Sequence, residues 1–436
     1  MVTGRPAGSP TRAPADRGGP GAHAPHRADR IALATAALGV GLIVATDGSG
    51  GDTAVRVVVV AVIGLLADVA VRRATPGWRA WALACIGALA LVVGGVVAWS
   101  GYGDAGSLGR LLGSALAVTG ALAAMVSAAR STAGRVRGWR LAATVMVAAL
   151  LSYAVLLPLG IAVYATHPPR GSVDARTPAD LGLGYTDAEV SAADGALLAG
   201  WYIPSTNDAA VVILPGSGST RSSTLDHAGV LARRGFGVLL LDPRGHGDSA
   251  GPAMDFGRYG EQDVAAGVDF LTRRPDVDPS RIAAVGLSMG GEEAIGAMAT
   301  DPRIRAVVAE GATRRVWRDR EWLVDSYGIR GRIQLGVDAI TDGLADLLTD
   351  ADRPEPLGDA IAASAPRPAL LIAAGERPDE ITAAETLQRR SPAGVCVWVV
   401  PGADHIGGLA TDPVGWDQRV SAFLDDALAP NRSTPP

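Results

Sequence analysis

The chain has 436 residues, a net charge of −5 and 39 basic side chains, every one of them arginine. Without lysine there is no Schiff-base lysine, no Ser–Lys dyad and no P-loop, whose phosphate grip needs that amine. Only two cysteines occur, Cys85 and Cys396, neither with a Cys or His at metal-ligand spacing, which excludes a disulfide framework and a structural zinc site.

The charge is unevenly divided. Residues 1–170 carry 15 Arg against 6 acidic side chains, and residues 171–436 carry 24 against 38, so two different objects are expected. Residues 1–30, mostly Pro, Gly, Ala and Arg, predict a disordered tail. Apolar stretches follow at 31–46, 54–71, 80–99, 111–129 and 141–166. A membrane-crossing helix needs about 20 apolar residues, so 31–166 is expected to be an all-α membrane domain of about five transmembrane helices in the lipid bilayer. Arginine clusters at 72–79 and 130–140 place those connections, and the amino terminus, on the cytoplasmic side. The cell membrane is then the expected location, with everything after residue 166 extracytoplasmic. Asp68, the one acid taken to lie inside a span, is spaced to pair with Arg72 one helical turn on.

After a linker at 167–183 the pattern changes. Glu189–Ala192 and Leu198–Ile203 flank Asp194-Gly195 and predict an antiparallel pair. Six short apolar runs follow, at 211–214, 238–241, 282–285, 306–309, 369–373 and 395–400, separated by helical stretches. Such runs predict a mostly parallel eight-stranded sheet with helices on both faces, over residues 184–428, and a disordered tail at 429–436. Ligands in such sheets bind at the carboxyl ends of the strands.

The run at 282–285 leads into Gly286-Leu287-Ser288-Met289-Gly290-Gly291, a G-x-S-x-G elbow between strand and helix. The chemistry needs a serine on a very sharp turn, and glycines two before and two after let the strand and helix backbones meet. A serine hydroxyl is a poor nucleophile until a base takes its proton. His23 and His26 lie in the tail, His167 follows the last apolar run, His227 sits in a helical stretch, and His246 belongs to the turn Asp242-Pro243-Arg244-Gly245-His246-Gly247. After an elbow of this kind the acid and then the histidine follow in the chain, and only His405 lies downstream of Ser288. The acid is expected after the run 369–373, at Asp379, with Glu376 and Glu380 as alternatives. The oxyanion would be held by the N–H of Met289 and that of Ser217, with Gly216 letting the loop after 211–214 curve inward. Arg221 is expected to be a solvated arginine.

These residues together resemble the α/β-hydrolase superfamily over residues 184–428, in particular its dienelactone-hydrolase-like and prolyl-oligopeptidase-like serine hydrolase branches. The turn 242–247 and the approach to the elbow, from Tyr259 to Ile282, carry that resemblance beside the elbow itself. Two departures stand out. Pro215-Gly216 occupies the place of the His-Gly that opens a lipase-type loop, and Ser288 that of the cysteine nucleophile of dienelactone hydrolases. The resemblance implies hydrolysis of an ester, thioester or peptide bond, with the ester reading ahead of an exopeptidase, and acyl transfer using the same residues. It implies no cofactor and no metal, a small-molecule or lipid-like acyl substrate, and no nucleic-acid partner. A non-catalytic scaffold or ligand-binding protein is the rival of another class. Residues 312–365, with apolar side chains at helical spacing, form either a cap over the site or a helix pair completing the core.

Overall fold

The computed structural model describes residues 24–47, 52–73, 78–79, 81–87, 90–91, 108–132, 154–155 and 157–430. Of the disordered tails expected at 1–30 and 429–436, residues 1–23 and 431–436 lie outside them, whereas 24–30 are helical, because the apolar run from Ile31 extends its helix back over them. Helices α1 (Ala24–Asp47), α2 (Asp52–Arg73) and α3 (Leu108–Thr132) come first. α1 and α3 cross on small residues. A Cβ added at Gly39 would lie 2.2 Å from the Ala117 nitrogen, and one at Gly120 would lie 2.4 Å from that of Ala36. Large apolar side chains, among them Leu38, Val62, Leu66 and Leu122, point outward instead. Asp68 pairs with Arg72, as the spacing predicts, and also with Arg30.

The expected spans are not found as such. Among the described residues no helix is long and apolar enough to cross a membrane. Charge explains part of this: α1 spends its first turns on Arg27, Asp29 and Arg30, and α2 contains Arg56 as well as Asp68. Much of 80–99 and the residues 141–153 lie outside the described residues. The stretch ending at 166 appears as the short helix α4 (Leu157–Thr166).

The expected sheet is present. Its strands are β1 (Thr186–Ser191), β2 (Leu197–Ile203), β3 (Ala210–Leu214), β4 (Gly237–Leu241), β5 (Ile282–Leu287), β6 (Ile304–Glu310), β7 (Ala369–Ala374) and β8 (Val395–Val400). Their order is β1-β2-β4-β3-β5-β6-β7-β8, antiparallel at β1–β2 and β2–β4 and parallel elsewhere. The connecting helices are α5 (Leu225–Arg233), α6 (Gly260–Thr272), α7 (Met289–Thr300), α8 (Trp322–Tyr327), α9 (Ile329–Leu348), α10 (Leu357–Ser364), α11 (Pro378–Arg390) and α12 (Pro413–Ala427).

Successive strand residues face opposite sides, which is why unbroken apolar runs are needed. In β3, Val212 and Leu214 enter one core with α6, α7, α10 and α11, whereas Val211 and Ile213 enter the other with α5 and α12. The segment 167–183 is built into that second face through Val173, Leu181 and Leu183.

At the elbow the packing leaves no spare volume. A Cβ on Gly286 would sit 2.1 Å from Gly290 backbone atoms, and one on Gly290 would sit 2.5 Å from the carbonyl oxygens of Leu214 and Pro215. Backbone cannot step aside as a flexible side chain would. Gly290→Ala is therefore expected to cost about 1–3 kcal/mol, as overpacking does, read as a lower urea midpoint at unchanged slope; an unchanged midpoint would contradict this packing.

Candidate active site

Ser288 stands where β5 becomes α7, with φ 52° and ψ −119°, a conformation non-glycine residues seldom adopt. The surroundings impose it. The Ser288 N–H donates to the carbonyl of Glu310 at the end of β6 (2.7 Å), and its own carbonyl accepts from Gly291 and Glu292 in the first turn of α7. Its hydroxyl is left at the carboxyl edge of the sheet, half-buried and 2.9 Å from Nε2 of His405. His405 arrives on the loop after β8 and is followed by Ile406, another non-glycine residue at positive φ (51°).

The carboxylate on the histidine is Glu380, not Asp379. α11 begins at Pro378, so residues 379 and 380 are turned about 100° apart around its axis. Glu380 turns inward and is buried. Its Oε1 lies 2.6 Å from Nδ1 of His405, and Oε2 accepts the Ala374 N–H at 3.0 Å. Asp379 turns outward and accepts the hydroxyl of Tyr327 at 2.7 Å. Glu376 is exposed, and Asp404 pairs with Arg377.

A second carboxylate holds the histidine loop from behind. Glu310, buried at the end of β6, accepts the Gly408 N–H at 2.7 Å and the Trp416 indole N–H at 3.0 Å. A side chain on Gly311 would meet the His405 ring at 2.9 Å, so the ring occupies the space that glycine leaves. Burial raises the pKa of Glu310 and lifts that of Glu292, in the first turn of α7, to about 7. Glu292 accepts the N–H groups of Thr313 and Arg314, which open the insertion after β6.

The loop after β3 runs beside the serine. A Cβ on Gly216 would lie 3.3 Å from that of Ser288, and Ser217 is exposed next to it. This loop is clamped by groups that its own sequence does not announce. Gly218 donates to Asp255 Oδ1 at 3.1 Å, and the same oxygen meets Nε2 of His246 at 2.9 Å. Burial works to lower the His246 pKa, but the Asp255 carboxylate outweighs it and the net direction is up. Arg221 is not solvated: it is buried, pairs with Asp242 and Asp248, and lies 4.6 Å over the Trp201 ring. His227 is buried against Trp416, with neither ring nitrogen hydrogen-bonded and its Nε2 4.0 Å from Glu310 Oε2.

Beside His405 opens a cavity of about 570 Å³. Arg314, Arg320, Trp322 and Tyr327 line it from the insertion, and Glu376, Arg377 and Asp379 from the loop after β7. The helices of 312–365 differ in what they meet. α10 completes the core against α7 and α11, through Leu357, Ala360 and Ile361, while α8 stands over the cavity. No group of carboxylates, histidines and cysteines suited to hold a metal ion occurs among the described residues.

Residues 205–332, which include the elbow, match the family described as serine aminopeptidase, S33. The domain has the α/β-hydrolase fold. Its sequence is 33% identical over 153 residues to an uncharacterized protein of Mycobacterium tuberculosis, covering 32% of this chain and 54% of that protein. It is also 33% identical over 129 residues to the thiohydrolase aneE of Aspergillus aculeatus, covering 29% of this chain and 41% of the relative. The chain thus spans about half the length of the curated relatives it matches. An esterase of Pyrococcus furiosus superposes with a TM-score of 0.49 at 26% identity, over 60% of this chain and 98% of its own.

The hydrogen bond that His405 donates to Glu380 raises the His405 pKa above its ordinary value near 6.5, against the lowering effect of burial. A histidine acting as base must be neutral, so activity should climb as pH rises through that elevated value. Glu380→Gln removes the raising influence and should move the acid limb to lower pH, with kcat reduced on the order of 10⁴-fold. Asp379→Asn should leave the limb in place. A pH–rate profile in which Asp379→Asn, and not Glu380→Gln, moves the limb would reverse the assignment.

Proposed function

We propose that this protein is a serine hydrolase acting on carboxylic esters or thioesters through an acyl-enzyme. The observation that carries the reading is the continuous line from Ser288 Oγ through His405 to Glu380 at the mouth of a cavity. Nε2 takes the hydroxyl proton as Oγ attacks the carbonyl carbon, and the imidazolium that forms is stabilised by Glu380, with Glu292 adding to the negative field. The tetrahedral oxyanion falls to the N–H of Met289, which heads α7 where the helix dipole favours negative charge, and to that of Ser217. His405 then gives its proton to the departing alcohol or thiol. Water, activated by the same histidine, releases the acid. The thiohydrolase relative supports an ester or thioester substrate, while the matched family supports a second reading as an aminopeptidase.

The amino-terminal helices belong to the same proposal. Their outward Leu and Val side chains and their glycine–alanine crossing are what helices packed in lipid present. The apolar runs 80–99 and 141–166 of the sequence add to this. In this reading the chain is a multi-pass membrane protein with its hydrolase domain on the extracytoplasmic side.

A fluorophosphonate probe should label the parent, and Ser288→Ala should abolish labelling and lower ester turnover at least about 10³-fold. An unlabelled, folded parent would remove the enzyme reading. p-Nitrophenyl esters run against aminoacyl-p-nitroanilides separate the readings, the esters being expected to turn over faster. The chain should stay in the pellet after carbonate washing of membranes; release into the supernatant would overturn membrane integration.

A further inference from the structure

α9 is amphipathic the wrong way round for water. Ile329, Ile333, Ile340 and Leu347 are 79%, 54%, 43% and 41% exposed. Their spacing of four, seven and seven residues puts them on one stripe about 40° wide. The opposite face carries Asp338, Asp342 and Asp346, the first two buried. These acids meet Arg314, Arg320 and Arg258, and Asp342 also accepts the Trp317 N–H. The helix thus keeps its charge against the protein and shows its hydrocarbon outward.

What lies beside the stripe points to its occupant. α9 packs on α4 through Ala345 against Ala162, and Leu348 joins Val163 and Ile43 of α1. α4 shows an outward row of its own, Leu157, Ile161 and Tyr164, at intervals of four and three. α9 and α4 are thus in contact, and each carries an exposed apolar row. Arg330 and Arg332 are exposed at the amino end of α9, and among the described residues neither has a carboxylate partner. An apolar stripe edged by exposed guanidinium groups, that of Arg330 lying 5.9 Å from the centre of the Tyr327 ring, suits an interfacial helix on anionic lipid.

We propose that the outer face of α9, beside α4, docks on the surface of an anionic phospholipid bilayer, which sets the cavity beside His405 near the lipid interface. This rests on the membrane and hydrolase readings above and adds a substrate class: acyl esters delivered from the bilayer.

The test uses the full chain reconstituted into phosphatidylcholine vesicles with and without phosphatidylglycerol. Cysteine is placed by Ile340→Cys in a Cys85→Ser, Cys396→Ser background and carries a fluorophore; a chain labelled at native, exposed Cys396, with Cys85→Ser, is the control. Nitroxide-bearing lipids should quench position 340 strongly, more so with phosphatidylglycerol, and position 396 weakly. Equal quenching at the two positions overturns the docking, as does protection of position 340 by a second copy of the chain without quenching. A chain that does not float with the vesicles overturns the anchoring reading and the docking with it. Ile333→Asp with Ile340→Asp should cut hydrolysis of a vesicle-borne ester at least about tenfold, equivalent to about 1.4 kcal/mol. Turnover of soluble p-nitrophenyl butyrate should be unchanged, which reports that the variant is folded. If both esters fall together the stripe acts on the fold and the docking is overturned, and if the parent cleaves neither, the hydrolase reading itself fails.

Discussion

The close approach of β5 and α7 governs the rest of the site. With Gly286, Gly290 and Gly291 stripped of side chains, the turn between them can be tight enough to hold Ser288 at positive φ. The same turn sets the Ser288 N–H on the carbonyl of Glu310. From there the constraint passes along one residue: the Glu310 side chain fixes Gly408, hence the loop that carries His405, and Gly311 leaves room for its ring. Serine and histidine, 117 positions apart, are thus registered through a single strand end. A conformational cost of about 1–3 kcal/mol at the serine is borne because every neighbour is backbone that cannot yield.

The central strands were legible because they are covered on both faces, and their apolar runs place them to within two residues, whereas β1, exposed on one face, begins three residues before the expected Glu189. The elbow was legible because only glycine fits where backbones touch, so geometry leaves a mark in composition. His405 followed from order along the chain. The acid did not. Asp379 and Glu380 are adjacent, and the choice depends on which way α11 turns after Pro378, an angle that no residue pattern states. Arg221 failed for a related reason: its partners Asp242 and Asp248 come beside it only when β3 and β4 pair. Glu310 had a faint signal, a lone acid closing an apolar strand at the sheet edge where ligands bind. Asp255 had none, because its contact with the β3 loop runs through a turn in irregular chain.

The insertion after β6 shows how two tasks divide one segment. α10 repeats the rule of the rest of the domain, apolar inward. α9 departs from it, and the row of acids on its inner face gives it a polar mounting made of ion pairs. Partly buried guanidinium–carboxylate pairs fix direction well because both geometry and charge must match. A helix held this way is positioned by a few discrete contacts, while its hydrocarbon side faces outward.

The exclusive use of arginine has a chemical consequence at this site. A guanidinium stays charged when buried, and the pairs of Arg221, Arg244, Arg258 and Arg315 depend on that property. A charged guanidinium is also a very poor nucleophile toward activated carbonyls. Along the whole sequence no side-chain amine exists to intercept an acyl group leaving Ser288. In the proposed reaction an acyl group on Ser288 therefore meets no lysine of the chain, and hydroxyl, thiol and imidazole groups are the side-chain acceptors left to compete with water.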